Sequence, residues 1–341
     1  MAYGWAIELV GDDGRAVGRV GIAPDWRPAV DWTHFDGVRA GVLPARARTD
    51  AGAVEPRWDA ALGAPYVDGF RVSVRAGDRV ATRDIPRRYL GDLARDAAAE
   101  LAARLGLRGE RDVRWLVRAT AEPGAAPAPD DAGFAVEPEA RPWPVRDAPL
   151  APFVGAAMRV GAPDGGLPVF FPPTVLEATH ARARAAGDVE TGGVLLGRLF
   201  RDVEPPHELF VEVTAELPAE HAIATATAIT FTAKTWSAAR RAVAARGRDE
   251  IVVGWIHSHV DFCRLRNCPP ERRRTCTASH PFFSPEDVHL HTTCFPIGWQ
   301  VALLVSDSAA TGGLTSSLYG WSEGMVAPRA FHVLVQGVSH A

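Results

Sequence analysis

The sequence predicts an α/β (α+β) protein: a small N-terminal α+β domain, then a larger domain with a mixed sheet flanked by helices. Three observations carry that expectation. The 341 residues exceed the usual size of a single hydrophobic core. A break rich in proline and alanine, residues 121–152, separates two stretches dense in apolar pattern and holds Pro123, Pro127, Pro129, Pro138, Pro142, Pro144 and Pro149. In the longer stretch, short apolar runs of strand length alternate with segments of helical period. The expected domains are therefore residues 1–120, a semi-stiff linker at 121–152, and residues 153–341.

Taken in order, residues 3–10 and 15–22 alternate around Gly11-Asp12-Asp13-Gly14, a hairpin signal. Residues 70–75 and 79–82 flank Ala76-Gly77-Asp78 as a second pair. Residues 86–105 place Leu90, Leu93, Ala97, Leu101 and Leu105 at helical spacing, ended by Gly106, and 113–117 reads as a strand. This N-terminal part shows no recognisable catalytic cluster, and binding of substrate or of a partner is the role left to it. Beyond the linker, strands are expected at 168–171, 194–198, 209–214, 251–257 and 300–306, with helices at 174–186 and 233–245. No internal repeat is present.

Composition narrows the function classes. With 47% hydrophobic residues and a formal net charge of -4, the chain has apolar mass for real cores and no basic excess to draw nucleic acid or anionic lipid. The first residues lack the basic and apolar regions of a signal peptide, and no stretch is long enough to span a bilayer, so a cytoplasmic protein without a membrane partner is expected. Among 37 basic residues only Lys234 is lysine. A GC-rich genome explains this, as does avoidance of acceptor lysines beside a lysine-conjugating system, and composition does not separate the two. The four cysteines fall between positions 263 and 294, and in a reducing compartment they point to metal ligands before disulfides.

The chemistry concentrates at Gly254-Trp255-Ile256-His257-Ser258-His259. Side chains two apart on a strand share a face, so His257 and His259 reach one ion if extended geometry persists to the strand's end. Ser284-Pro285-Glu286-Asp287 reads as a helix start with Ser as N-cap, Pro at the first position and an acid at the third. Capping alone accounts for that tetrapeptide, yet the i, i+3 spacing also aims Ser284 and Asp287 into one pocket. Two imidazoles and one carboxylate leave a zinc ion one open position, the catalytic arrangement. A further carboxylate is then needed to move protons, and Glu190, which opens Glu190-Thr191-Gly192-Gly193-Val194-Leu195-Leu196-Gly197, is the candidate.

In these motifs, ETGGVLLG, GWIHSH and FFSPEDVHLH, the stretch from about residue 153 to 335 resembles a JAB1/MPN/Mov34 domain of the JAMM metalloprotease type. The resemblance implies a cytidine-deaminase-like fold and a zinc-dependent peptidase or isopeptidase. It implies that His257, His259 and Asp287 bind zinc, that Glu190 is the general acid and base, and that Ser284 donates to the oxyanion, as donors aimed at developing charge do. The Ser-x-x-Asp-x-His-x-His pattern is similar to that of the endosome-associated deubiquitinases, which use a His at the position of His289 for a structural zinc. His289 lies about 200° around the helix from Asp287, whereas His291 returns to the Asp287 face, where it either lines the pocket or is solvated.

Two departures from the family stand out. Val260 replaces the Pro that usually follows His-x-His, and an insertion, residues 260–283, separates His259 from Ser284. The insertion carries Cys263, Cys268 and Cys276, with Cys294, His280 and His289 nearby, and this set is the candidate for a second, structural zinc; the alternative is free thiols in a flexible loop. Arg264, Arg266, Arg272, Arg273 and Arg274 make the loop locally positive, either as a solvated segment or as a dock for an acidic partner.

The function expected is removal of a ubiquitin-like protein from its conjugates or its precursor in a bacterial conjugation pathway, with conjugation-pathway enzymes as further partners. The alternatives are a non-catalytic scaffold of the same fold and a peptidase for another peptide. A zinc nucleobase deaminase is excluded because its His-x-Glu and Pro-Cys-x-x-Cys are absent. Serine and cysteine hydrolases lack a nucleophile-elbow pattern here.

Overall fold

The computed structural model describes residues 2–11, 15–45, 52–59, 66–104, 114–122, 142–161, 165–273, 275–276, 280–308 and 313–335. The turn residues Asp12 to Gly14, the helix end at Leu105 and Gly106, Val113, the linker prolines 123, 127, 129 and 138, and Arg274 lie outside them. The chain divides into two compact units, the first drawn mainly from Met1–Val38 and Val42–Pro142, the second mainly from Trp143–Ser322 and Val326–Ala341.

The first unit runs β1 (Ala2–Val10), β2 (Ala16–Ile22), α1 (Arg27–Arg39), β3 (Gly52–Asp59), β4 (Tyr66–Ala76), β5 (Arg79–Pro86), a 3-10 turn at Arg87–Leu90, α2 (Gly91–Arg104) and β6 (Arg114–Glu122). Its sheet has the order β2-β1-β6-β4-β3, with β5 also on β4. Both expected hairpins form, Trp5 opposite Ile22 and Val74 opposite Ala81. The sequence does not announce α1 or β3. The α1 segment, which buries Val30, Phe35 and Val38, is interrupted by Asp31, Asp36 and Gly37, so its apolar period is weak.

The second unit begins with β7 (Val145–Ala148), α3 (Ala151–Gly155), β8 (Ala157–Val160), β9 (Val169–Phe171), α4 (Pro173–Ala186), β10 (Gly192–Asp202) and β11 (Leu209–Pro218). It continues through β12 (Ile223–Ala224), β13 (Ile229–Thr230), α5 (Ala233–Arg246), β14 (Ile251–His259), α6 (Phe262–Leu265), α7 (Pro270–Arg273) and α8 (Pro285–Cys294). The chain ends with β15 (Val301–Ser308), β16 (Gly313–Ser322), β17 (Met325–Arg329) and β18 (Phe331–Leu334). The main sheet has the order β17-β16-β15-β14-β10-β11-β9-β18-β8, mixed as the sequence predicts: β14 runs antiparallel to β10 and parallel to β15.

Two boundaries differ from the sequence-based expectation. Residues 145–148, placed in the linker, form β7 and pair in parallel with Leu199 to Asp202 of β10. Pro144 and Pro149 stop the strand at both ends but leave the four amides between them free to pair. Phe153 of α3 then packs with Phe170, Phe200 and Phe210, so the hydrophobic unit starts before residue 153. Strand β10 also begins at Gly192 rather than 194. There the glycines permit close approach: a Cβ at Gly193 would meet the Leu217 carbonyl oxygen at 2.7 Å, and one at Gly192 the Ile229 side chain at 2.6 Å.

Glu250, just before β14, ties three elements together. Arg246 at the end of α5 donates from Nε at 2.5 Å and Nη2 at 2.9 Å, and Thr214 of β11 donates at 2.6 Å. The Arg246 hydrogen bonds hold the Glu250 carboxyl down at about 2.

Gly254 lets β14 and β15 approach closely, since a Cβ there would lie 2.0 Å from the Val301 carbonyl oxygen. Gly254→Ala is expected to destabilise the protein by about 1–3 kcal/mol, as overpacking of a filled interior does, and a lowered midpoint in denaturant unfolding checks this.

Candidate active site

Strand β14 stays extended through His259, so His257 and His259 project to one side while Ser258 projects to the other. Both imidazoles are buried. The ring of Trp255, two residues earlier on the same face, stacks on His257 with centroids 4.5 Å apart, and Phe283 meets His257 edge-on at 5.7 Å. Phe282 and Phe262 flank His259 at 4.9 Å and 6.0 Å. His257 Nδ1 and His259 Nδ1 have no hydrogen-bond partner among the described residues, so aromatic packing fixes these rings rather than a second hydrogen bond.

Asp287 reaches the same point from the first turn of α8. Ser284 is the N-cap: its Oγ accepts from the Asp287 N–H at 3.1 Å, and its own N–H donates to Asp287 Oδ2 at 2.8 Å. The capping box and the approach of Asp287 to the two histidines, alternatives on the sequence alone, are therefore one arrangement. Accepting from the helix leaves the Ser284 hydroxyl proton available to another acceptor.

The three groups form a small triangle. His257 Nε2 lies 3.1 Å from His259 Nε2 and 3.1 Å from Asp287 Oδ1, and His259 Nε2 lies 3.3 Å from Asp287 Oδ2. A tetrahedral centre with ligands at about 2.0–2.1 Å has edges of about 3.3–3.4 Å, so the donor set matches the size and chemistry of a zinc site with one position left open. Burial lowers the His257 pKa and so keeps the imidazole neutral, the form that binds metal. Burial opposes ionisation of Asp287, yet the hydrogen bonds from His257 and His259 hold its carboxyl well below the usual carboxylate range.

Glu190, at the mouth of β10, is 3% exposed. Burial, reinforced by the Asp287 charge, pushes its carboxyl up to about 8. Its placement comes from two residues that the sequence does not single out. Ser258 Oγ accepts from the Thr191 N–H at 2.8 Å and lies 3.1 Å from Thr191 Oγ1, while the Ser258 N–H donates to the Thr191 carbonyl at 2.8 Å. The residue between the two histidines thus holds the residue after Glu190, and the Glu190 N–H is taken by the Thr225 carbonyl at 2.8 Å.

The downstream histidines separate sharply. His289 is exposed. His291 is fully buried, accepts from Trp255 Nε1 at 3.1 Å, and is driven down to about 3 by burial, so the solvated alternative does not hold. It supports the Trp255 ring on which His257 rests. The Cys263, Cys268 and Cys276 sulfurs lie within 4.8 Å of one another, whereas Cys294, His280 and His289 stand outside that group. Cys294 sits at the far end of α8, about 13 Å of helix beyond Pro285, which removes it from the helix start where the loop ends.

Among the described residues no helix is long and apolar enough to cross a membrane. No curated protein matches the chain. The solution structure of protein DSY2949 from Desulfitobacterium hafniense is similar over 48% of this chain and 92% of its own, at 18% identity and a TM-score of 0.33. Residues 171–268 match the family model described as JAB1/Mov34/MPN/PAD-1 ubiquitin protease, a span that includes Glu190, His257 and His259 and stops before Ser284 and Asp287. Domains of this type support a peptidase or an interaction-module role. On a mixed α/β fold, the second unit of this chain thus matches the JAB1/MPN/Mov34 family over residues 171–268.

Proposed function

We propose that the chain is a zinc-dependent isopeptidase or peptidase that cleaves a ubiquitin-like protein from its conjugates or precursor. The observation that carries this is the triangle of His257, His259 and Asp287 beside a buried carboxyl, Glu190, with a raised pKa. Zinc held by the three ligands supplies Lewis acidity for a peptide carbonyl and for water. The Glu190 carboxylate would then take the proton of the attacking water and return it to the leaving amine; the nearby cation would favour the ionised form that burial alone disfavours. The Ser284 hydroxyl, whose oxygen is anchored to the helix N-terminus, donates a hydrogen bond to the developing oxyanion. Trp255, Phe283, Phe262 and Phe282 keep water from the imidazoles.

Purified protein incubated with cognate ubiquitin-like conjugates is expected to show cleavage that needs zinc. Glu190→Gln should lower kcat/KM by about 10²–10⁴ with metal content unchanged, whereas Asp287→Ala should lose both metal and activity. A stable fold that takes up no zinc at His257 and cleaves nothing would instead favour an interaction module.

Ser258→Ala is expected to keep the metal and lower kcat, because Thr191 no longer fixes Glu190. Thr191 keeps only its backbone bond to residue 258, and steady-state kinetics with metal analysis separates this from loss of the ligands.

The raised Glu190 pKa has a calculable sign. The folded protein binds this proton more tightly than the unfolded chain, so the contribution to stability is full below about 4.5 and is lost as pH rises through about 8. Metal-free protein should therefore show a melting temperature that falls across this range, with a shallower fall in Glu190→Gln.

A further inference from the structure

The inserted loop brings together three soft donors that the reaction does not use. Cys263, Cys268 and Cys276 are spread over fourteen positions, yet their sulfurs all lie within 4.8 Å of one another. The backbone is folded to achieve this. Asp261 caps α6 by accepting from the Arg264 N–H at 3.1 Å, the Cys268 N–H donates to the Cys263 carbonyl at 2.9 Å, and Asn267 turns the chain with φ +50°. Arg273 Nε then holds the Cys268 carbonyl at 2.9 Å.

Hydrophobic burial does not account for this compaction. From Arg264 to Arg272 almost every residue is exposed, and Cys263 is the one buried side chain among the described residues 261–276. A disulfide does not account for it either, since the cysteines are free. Three sulfurs at the corners of a tetrahedron are about 3.8 Å apart when the metal–sulfur bonds are about 2.3 Å, a separation inside the observed limit.

We infer that Cys263, Cys268 and Cys276 bind a second, thiophilic divalent cation of the zinc class, which orders the inserted loop. Each thiol loses its proton to solvent on binding, and three thiolates with one divalent ion leave the centre with one net negative charge. The same loop carries Arg264, Arg266, Arg272 and Arg273, whose positive charge offsets it. The fourth position falls to solvent, because Cys294, His280 and His289 stand outside the group. The consequence reaches the first site through Phe262, next to Cys263, and Phe282, at the loop's exit. These rings lie 5.9 Å apart and both pack on His259, so the ion that closes the loop also sets the aromatic rim over that imidazole. The inference stands on the cysteine geometry and does not require the peptidase reading.

The test is metal counting on the full chain, purified reduced, stripped and reloaded with Zn²⁺ alone, by native mass spectrometry. Wild type should hold two equivalents, Cys268→Ser one, His259→Ala one, and Cys294→Ser two. Cys268→Ser should also become cleavable by protease between residues 264 and 276. Loading His259→Ala with Co²⁺ should give the intense thiolate-to-cobalt absorption in the near ultraviolet, a readout that does not depend on the cysteine variant folding. One zinc in wild type that is indifferent to Cys268→Ser, a disulfide between two of the three cysteines in the reduced preparation, or Co²⁺ loading without the thiolate band would each overturn the inference, and none of these bears on cleavage at the first site.

Discussion

The site depends on a confinement that is unfavourable in itself. Two imidazoles and a carboxylate are held within 3.3 Å of one another where water has little access, so their lone pairs converge without solvent to separate them. Burying such groups costs several kcal/mol unless partners or a cation compensate. The surrounding fold supplies the rigidity that keeps them there. Strand β14 lies between β10 and β15, and the capping box fixes the Asp287 carboxylate on the first turn of α8. Stability is spent locally to hold a donor set whose favourable partner is a divalent ion.

One local device serves two ends. A capping box ordinarily satisfies backbone groups at a helix start, and here its acidic member also meets both imidazoles, the position a third ligand would take in the proposed site. The bond from the Ser284 N–H to Asp287 Oδ2 restrains the carboxylate that faces the imidazoles. Across the site the logic repeats on the strand. Ser258 turns its hydroxyl away from the imidazoles and clamps Thr191, the residue after Glu190. Histidine, serine and histidine in succession thus divide their work by the alternation of the strand.

The two donor sets differ in kind. The first is a mixed nitrogen and oxygen set, built on a strand of the main sheet and the first turn of a helix. The second is all sulfur, built on turns and short helices with little core of their own. Phe262 and Phe282 join them, so the order of the insertion and the surroundings of His259 are linked through aromatic contact rather than through a shared ligand.

The sequence by itself determined what local rules govern. The strand periods of the second unit, the cap at Ser284, the shared face of His257 and His259, and the opposed faces of His289 and His291 all follow from spacings of two to four residues. Tertiary structure decided whatever depends on register between distant segments. It made a strand of residues 145–148 because β10 offered an open edge there, and it placed Gly192 and Gly193 at close-packing positions. It paired Ser258 with Thr191 across 67 residues and Trp255 with His291 across 36. It also sorted the cysteines: the turn at Asn267 gathers Cys263, Cys268 and Cys276, while α8 carries Cys294 away, a division that spacing alone leaves open because a loop's path is set by what it packs against.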